Sequence, residues 1–155
     1  MKFSIPDSMQ AEHEALHSDL EKAIASGGET GAAAKVVAHV LHAHFESEEK
    51  YALPPLGLLP ALAEGKISHE MTQVLEMTDT LKAELPRMLE EHKAIFDALQ
   101  KLIEAASQEQ KTEHVHFAEK LMLHARNEEE VAYPTAILIG EYVRMTLGVP
   151  GVEHA

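Results

Sequence analysis

Two short strings carry most of the chemistry available to this chain. His44-Phe45-Glu46-Ser47-Glu48-Glu49, with Pro54 beyond it, recurs as His124-Ala125-Arg126-Asn127-Glu128-Glu129, with Pro134 beyond it. Both have the form H-x-x-x-E-E-x-x-x-x-P. A Glu-His pair stands ahead of each, Glu12-His13 and Glu91-His92, and the histidine-to-histidine separations nearly match: 31 residues from 13 to 44, 32 from 92 to 124. On a helix His44 and Glu48 lie about 40° apart, so imidazole and carboxylate share a face. With His13 and His92, the two strings offer four imidazoles and two carboxylates, a donor set that suits a pair of metal ions.

The spacing by itself selects nothing. With 11 histidines and 22 glutamates, chance supplies about one or two H-x-x-x-E matches. The chain has four: His17/Glu21, His42/Glu46, His44/Glu48 and His124/Glu128. Helical phase separates them. His44 and Glu48 share a face with Val37 and Leu41, and His124 and Glu128 share one with Phe117 and Leu121, so both pairs point inward. His42 faces about 200° away from His44 and forms a solvated pair with Glu46. Buried imidazoles and carboxylates on apolar faces are costly unless they are paired or bind metal. A metal-free His-Glu network is the competing reading, disfavoured because the arrangement occurs in both halves of the chain.

The elements that must position these residues read as helices throughout, giving an all-α fold. Pro6-Asp7 opens a first helix, with Ser4 or Asp7 as its N-cap, and its apolar stripe Met9, Leu16, Leu20, Ala23 and Ile24 includes His13. Gly27-Gly28 ends it. Thr30 caps a second helix that runs to Pro54-Pro55, and residues 56–63 form a short helical piece closing one end of a bundle. One apolar phase persists from Ser68 to Ala106, through Pro86, and predicts a single long helix kinked there. A fourth bundle helix carries His124 and Glu128 until Pro134 interrupts it, and a further apolar helix covers 135–147. No strand pattern is present.

Composition narrows the classes. The 155 residues make one domain, and the absence of cysteine excludes disulfides, thiolate metal sites and cysteine nucleophiles. A net charge of −13 without a basic stripe argues against nucleic acid and anionic lipid as partners. No apolar run is long enough to span a membrane and no signal core opens the chain, so a cytoplasmic location is expected. Met9, Met71, Met77, Met88 and Met122 read as core packing, because thioethers suit softer ions than an imidazole-carboxylate site selects. Glu49 and Glu129 are expected mainly in solvent, with support of a liganding imidazole as their alternative, and Tyr51 is expected to border the site.

On these residues the chain resembles the hemerythrin-like family, the HHE cation-binding domains, along nearly its whole length. The resemblance implies an up-down-up-down four-helix bundle around a non-haem di-iron centre. Carried over by position, it implies His13, His44, His92 and His124 as iron ligands and Glu48 and Glu128 as carboxylates bridging two iron ions beside an oxo or hydroxo group. The animal oxygen carriers in that family use five histidines; here Phe96 stands four residues after His92, so the site resembles the symmetric four-His, two-Glu variant. His17, four residues after His13, is a further candidate ligand or pocket residue. Ferritin-type bundles use E-x-x-H at their metals. The E-x-x-H strings here, such as Glu14 to His17 and Glu113 to His116, fall outside the repeated frame.

Three functional classes follow from that resemblance: a protein binding O₂ or NO for scavenging, sensing or delivery; an enzyme of nitrosative or oxidative stress defence, reducing NO or peroxide or supporting iron-sulfur cluster repair; and an iron-responsive interaction module. The absence of a catalytic acid, base or nucleophile outside the ligand set favours binding. The near-twofold relation of the halves leads to the expectation that His13 and His44 serve one ion and His92 and His124 the other. A homodimer through residues 68–85 and 134–147 is expected, since both segments stay apolar beyond their prolines.

Overall fold

The computed structural model describes residues 3–151, and among them every regular element is helical. Four main helices form the bundle: α1 (Asp7–Ala25), α2 (Gly28–Ser47), α4 (Val74–Gln108) and α5 (Thr112–Asn127). Between α2 and α4 lie a 3₁₀ turn (Pro54–Leu58), the short helix α3 (Leu59–Ala63) and a second 3₁₀ turn (His69–Gln73). After α5 the chain continues into α6 (Tyr133–Leu147). No helix among the described residues is long and apolar enough to cross a membrane.

Helix starts and stops follow local chemistry, with two departures from expectation. Residue 6 is the N-cap of α1, and neither Ser4 nor Asp7 supplies a side-chain cap: Pro6 sits outside the helix at φ −52° and ψ 136° and its carbonyl accepts from Met9 and Gln10. Thr30 does not cap α2, which begins two residues earlier behind Gly27; there φ is +70°, a conformation that favours glycine. The orphan amides of that first turn are met from across the bundle. Glu109 accepts from the Thr30 amide at 2.8 Å and the Thr30 hydroxyl at 2.5 Å, and Lys111 donates to the Ser26 and Gly27 carbonyls at the same corner.

Helix α4 is one uninterrupted helix of 35 residues with Pro86 inside it, beginning at Val74 rather than at Ser68. Pro54 and Pro134 act differently. A proline cannot donate to the carbonyl four residues back, and its ring crowds that carbonyl. Ahead of each, the backbone widens into a π turn, Glu48–Ala52 and Glu128–Ala132, in which Leu53 N–H reaches the Glu48 carbonyl at 2.9 Å. Pro134 therefore does not interrupt the helix: α5 passes through its π turn directly into α6. Each inward glutamate is the first residue of a π turn, a feature found often at functional sites.

The interior is layered. One apolar cluster is built from Leu16, Leu20, Val37, Leu41, Ile95, Leu99, Leu102, Phe117 and Leu121. The other gathers Leu53, Leu56, Met71, Val74, Leu81, Met88, Ile139 and Val143 around residues of α4 and α6. The piece carrying α3 helps close this second cluster, and the chain entering α1 lies against it so tightly that a Cβ on Gly57 would collide with the Ser4 carbonyl. The inward histidines and glutamates of the two repeated strings, and His13 and His92, fall between the two layers: His92 lies between Met88 and Ile95, and His124 and Glu128 between Leu121 and Ala132. Each buried Leu or Val contributes about 1.5–3 kcal/mol, so the apolar layers stabilise a bundle with a polar slab through it.

Candidate metal centre

His13, His44, Glu48, His92, His124 and Glu128 all lie in that slab and all are buried. They form two groups that share both glutamates, His13-Glu48-His124-Glu128 and His44-Glu48-His92-Glu128, with the ligand atoms of each group within 4.8 Å of one another. The pairing of the histidines corrects the sequence expectation. His13 Nε2 is 3.1 Å from His124 Nε2, and His44 Nε2 is 2.8 Å from His92 Nε2. Each group thus draws one histidine from each half of the chain. The halves interleave at the site, and neither group of possible ligands belongs to a single half.

The glutamates divide their oxygens between the groups. Glu48 turns Oε1 to His44 Nε2 at 2.8 Å and Oε2 to His13 Nε2 at 3.8 Å. Glu128 turns Oε1 to His92 at 3.7 Å and Oε2 to His124 and His13 at 3.3 and 3.7 Å. Both oxygens of Glu48 and Oε2 of Glu128 are buried and lack a hydrogen-bond partner among the described residues. A buried carboxylate without donors carries a penalty of several kcal/mol, which a cation between the oxygens removes.

Three of the four imidazoles are held from behind. Glu91 meets His44 Nδ1 at 3.1 Å, Glu129 meets His92 Nδ1 at 2.8 Å, and Glu12 hydrogen-bonds His124 Nδ1. A carboxylate accepts, so each Nδ1 carries a proton, and in the neutral imidazole the Nε2 lone pair then faces the slab. Two lone pairs 2.8 Å apart repel each other, whereas nitrogens about 2.1 Å from one ion and at right angles to each other would be about 3.0 Å apart. The donor set therefore fits metal ions. The Glu-His pairs noticed in the sequence acquire a role here: Glu12 and Glu91 each reach past their own neighbour to the histidine of the other helix. Glu91 is fixed in turn by Arg87, which donates to Glu91 at 2.9 Å, to Glu84 at 2.5 Å and to the Tyr51 hydroxyl at 2.9 Å. Tyr51 thus touches the site only through Arg87 and Glu91.

Charge in the slab is unevenly shared. Burial disfavours a proton on His44, but Glu48 and Glu91 outweigh it and raise the pKa. His92 is lowered, first by burial and then by His44. Tyr133, fully buried, places its hydroxyl 3.3 Å from His44 Nε2 and 3.2 Å from His92 Nε2. Burial, with Glu48 next, pushes its phenol well above the ordinary range, so it stays a donor.

Several expectations are settled by position. His17 is not part of the cluster, its side chain being 65% exposed and paired with Glu21 at 3.3 Å, but it does line a surface cavity together with His13. His42 likewise faces solvent with Glu46. Glu129 is not a bystander in solvent, since it supports His92, whereas Glu49 is exposed. Tyr133 was missed because its counterpart in the repeat, Leu53, is apolar; the remaining signal was an aromatic residue against Pro134 at the end of the repeated string. No family model, curated protein or solved structure matches the chain.

Proposed function

We propose that the slab holds two iron ions bridged by Glu48 and Glu128, in an up-down-up-down bundle of hemerythrin-like type, and that this centre binds O₂ or NO. The carrying observation is the division of each glutamate's two oxygens between the two His pairs. Imidazole with carboxylate suits iron and leaves coordination positions open. His13 and His124 would hold one ion, His44 and His92 the other. When bound, the pair supplies reversible one-electron redox chemistry and open positions for a diatomic ligand. The protein's own contribution is to hold both ions in a dry slab, to fix the imidazoles through Glu12, Glu91 and Glu129, and to offer the Tyr133 hydroxyl as a hydrogen-bond donor beside His44 and His92. That donor also favours a second reading, reduction of NO or peroxide, which needs protons at the site.

Elemental analysis of the protein tests the metal, and anaerobic reduction followed by O₂ or NO with spectral recording tests the ligand. A stable, reversible adduct supports binding; rapid oxidation with NO turnover supports the enzyme. Metal near zero in every preparation, together with normal stability of His44→Ala, overturns both.

A further inference from the structure

His17 has no place in the buried cluster, yet it is not isolated. With His13 and Glu21 it makes a ladder along α1, one ligand-type side chain per helical turn, so consecutive members stand about 6 Å apart along the axis. The ladder runs from solvent into the slab: the His17 and Glu21 side chains are 65% and 69% exposed, whereas His13 is 4% exposed.

A cavity of about 270 Å³ lies along this ladder, lined by its three members together with Glu14, Glu49 and Phe45. Three carboxylates and two imidazoles line the opening, and no lysine or arginine does. On a chain of net charge −13 such a cleft concentrates cations. His13 is the member of the buried cluster that lines it. It is also the one imidazole of the slab without a carboxylate behind it. Its Nε2 faces His124, its Nδ1 has no hydrogen-bond partner among the described residues, and its ring rests on Phe45 at 4.7 Å.

Neither alternative approach suits a cation. In the second half of the chain Phe96 stands four residues after His92, and the Arg126 guanidinium lies 6.0 Å from its ring centroid, so an apolar ring and a positive charge take the place of His17. A cavity of about 350 Å³ reaches His124 and Glu128 past Met9, Leu59 and Val131, but its walls are chiefly aliphatic, and a hydrated ion loses water there with little to replace it.

We infer that His17 and Glu21 form a capture site for divalent metal ions, from which the ion passes to His13 and into the slab. His17 Nε2 and Glu21 Oε1 are 3.3 Å apart, near the value of about 3.0 Å for two atoms each about 2.1 Å from one ion and at right angles. No third imidazole or carboxylate among the described residues completes a cage around them, so water fills the remaining positions and the ion is held loosely. Each protein ligand that joins the ion displaces one water, and no electron moves. His17 thus delivers metal without belonging to the final ligand set. This rests on the metal-binding reading above.

Exchange of isotopically labelled ferrous iron into the iron-loaded protein, without oxygen, tests it. His17→Phe and Glu21→Gln should each slow exchange by about tenfold or more, while iron content and melting temperature stay those of the parent. His17→Asp, which keeps a ligand at that position, should exchange at nearly the parent rate. His42→Ala, at another exposed His-Glu pair, and Val131→Trp, in the aliphatic cavity, should leave exchange unchanged. Parent rates in both His17→Phe and Glu21→Gln overturn the inference and leave the metal reading standing, as does slowing by Val131→Trp alone. His17→Asp as slow as His17→Phe also overturns it, because packing and not coordination would then set the rate. Iron near zero in the unmodified protein overturns the reading beneath it.

Discussion

Glu48 Oε1 lies 2.8 Å from His44 Nε2, one helical turn away, yet neither oxygen of Glu48 has a hydrogen-bond partner among the described residues. A fully buried carboxylate in that condition opposes folding of the metal-free chain and favours the metal-bound one. Glu48→Gln should therefore raise the melting temperature of the metal-free protein, by about 1–3 kcal/mol of stability, while abolishing the stabilisation that metal brings. Thermal melts with and without iron check both signs. A metal-free Glu48→Gln protein less stable than the parent would contradict this account.

Because each glutamate serves both His pairs, Glu48→Ala and Glu128→Ala should each cost both ions, whereas His42→Ala and His17→Ala, at exposed positions, should leave metal content unaltered. Metal analysis of the four variants decides it. Equal loss for His42→Ala and Glu48→Ala would mean that the site lies elsewhere.

Carboxylates behind liganding imidazoles fix ring orientation and raise basicity. Glu91→Gln and Glu129→Gln should weaken metal binding by about 10–100-fold without unfolding the chain. Competition with a chelator measures this. Glu49→Gln, the exposed counterpart of Glu129, should have no effect.

The Glu109 clamp at the start of α2 gives a pH dependence. The Thr30 hydroxyl and amide hold the Glu109 carboxyl well below the usual range, at about 2. A depressed folded-state pKa contributes stability that is complete above the unfolded value near 4.5 and is lost as pH falls toward 2. Thr30→Ala should accordingly reduce stability at neutral pH and flatten the acid limb of the stability curve. Denaturant midpoints between pH 2 and 6 show whether it does.

The dimer expectation needs a narrower surface. Residues of 68–85 are covered, since Met71, Val74, Leu75 and Leu81 pack with Ile139 and Val143 of α6. What remains open is the outer face of α6, where Leu138, Tyr142 and Met145 are 66%, 45% and 80% exposed. A second copy of the chain should meet that face, giving a mass of twice 17.1 kDa that falls to the monomer value on Leu138→Glu. Light scattering across dilutions reads it. Ile139→Glu would be uninformative, because Ile139 is buried in the core.

The buried His/Glu cluster was legible because polar residues recur on apolar helix faces in both halves of the chain. The continuity of α4 was legible because Pro86 does not disturb its apolar phase, whereas its start was not, since the residues before Val74 form a separate 3₁₀ turn. The grouping of the histidines was not: each bundle helix meets one neighbour from its own half and one from the other, and the sequence repeat does not say across which contact the imidazoles meet. The caps failed for a similar reason, since the amides at the start of α2 are met by Glu109, some 80 residues away. Glu12 and Glu91 were visible as Glu-His pairs, but nothing local says that each serves the imidazole of a different helix.

The ring of carboxylates around the slab has an electrical meaning. Glu12, Glu48, Glu91, Glu128 and Glu129 bring five carboxylates to the slab, and Arg87, which also bonds Glu84, offsets only part of their charge. The protein thus presents a preformed excess of negative charge, which on the di-iron reading two divalent cations would offset. Each further electron withdrawn from those cations leaves the interior more positive unless an anion enters or a proton leaves with it. On that reading the fold would tie electron flow at the centre to the movement of small charged species across an otherwise dry wall.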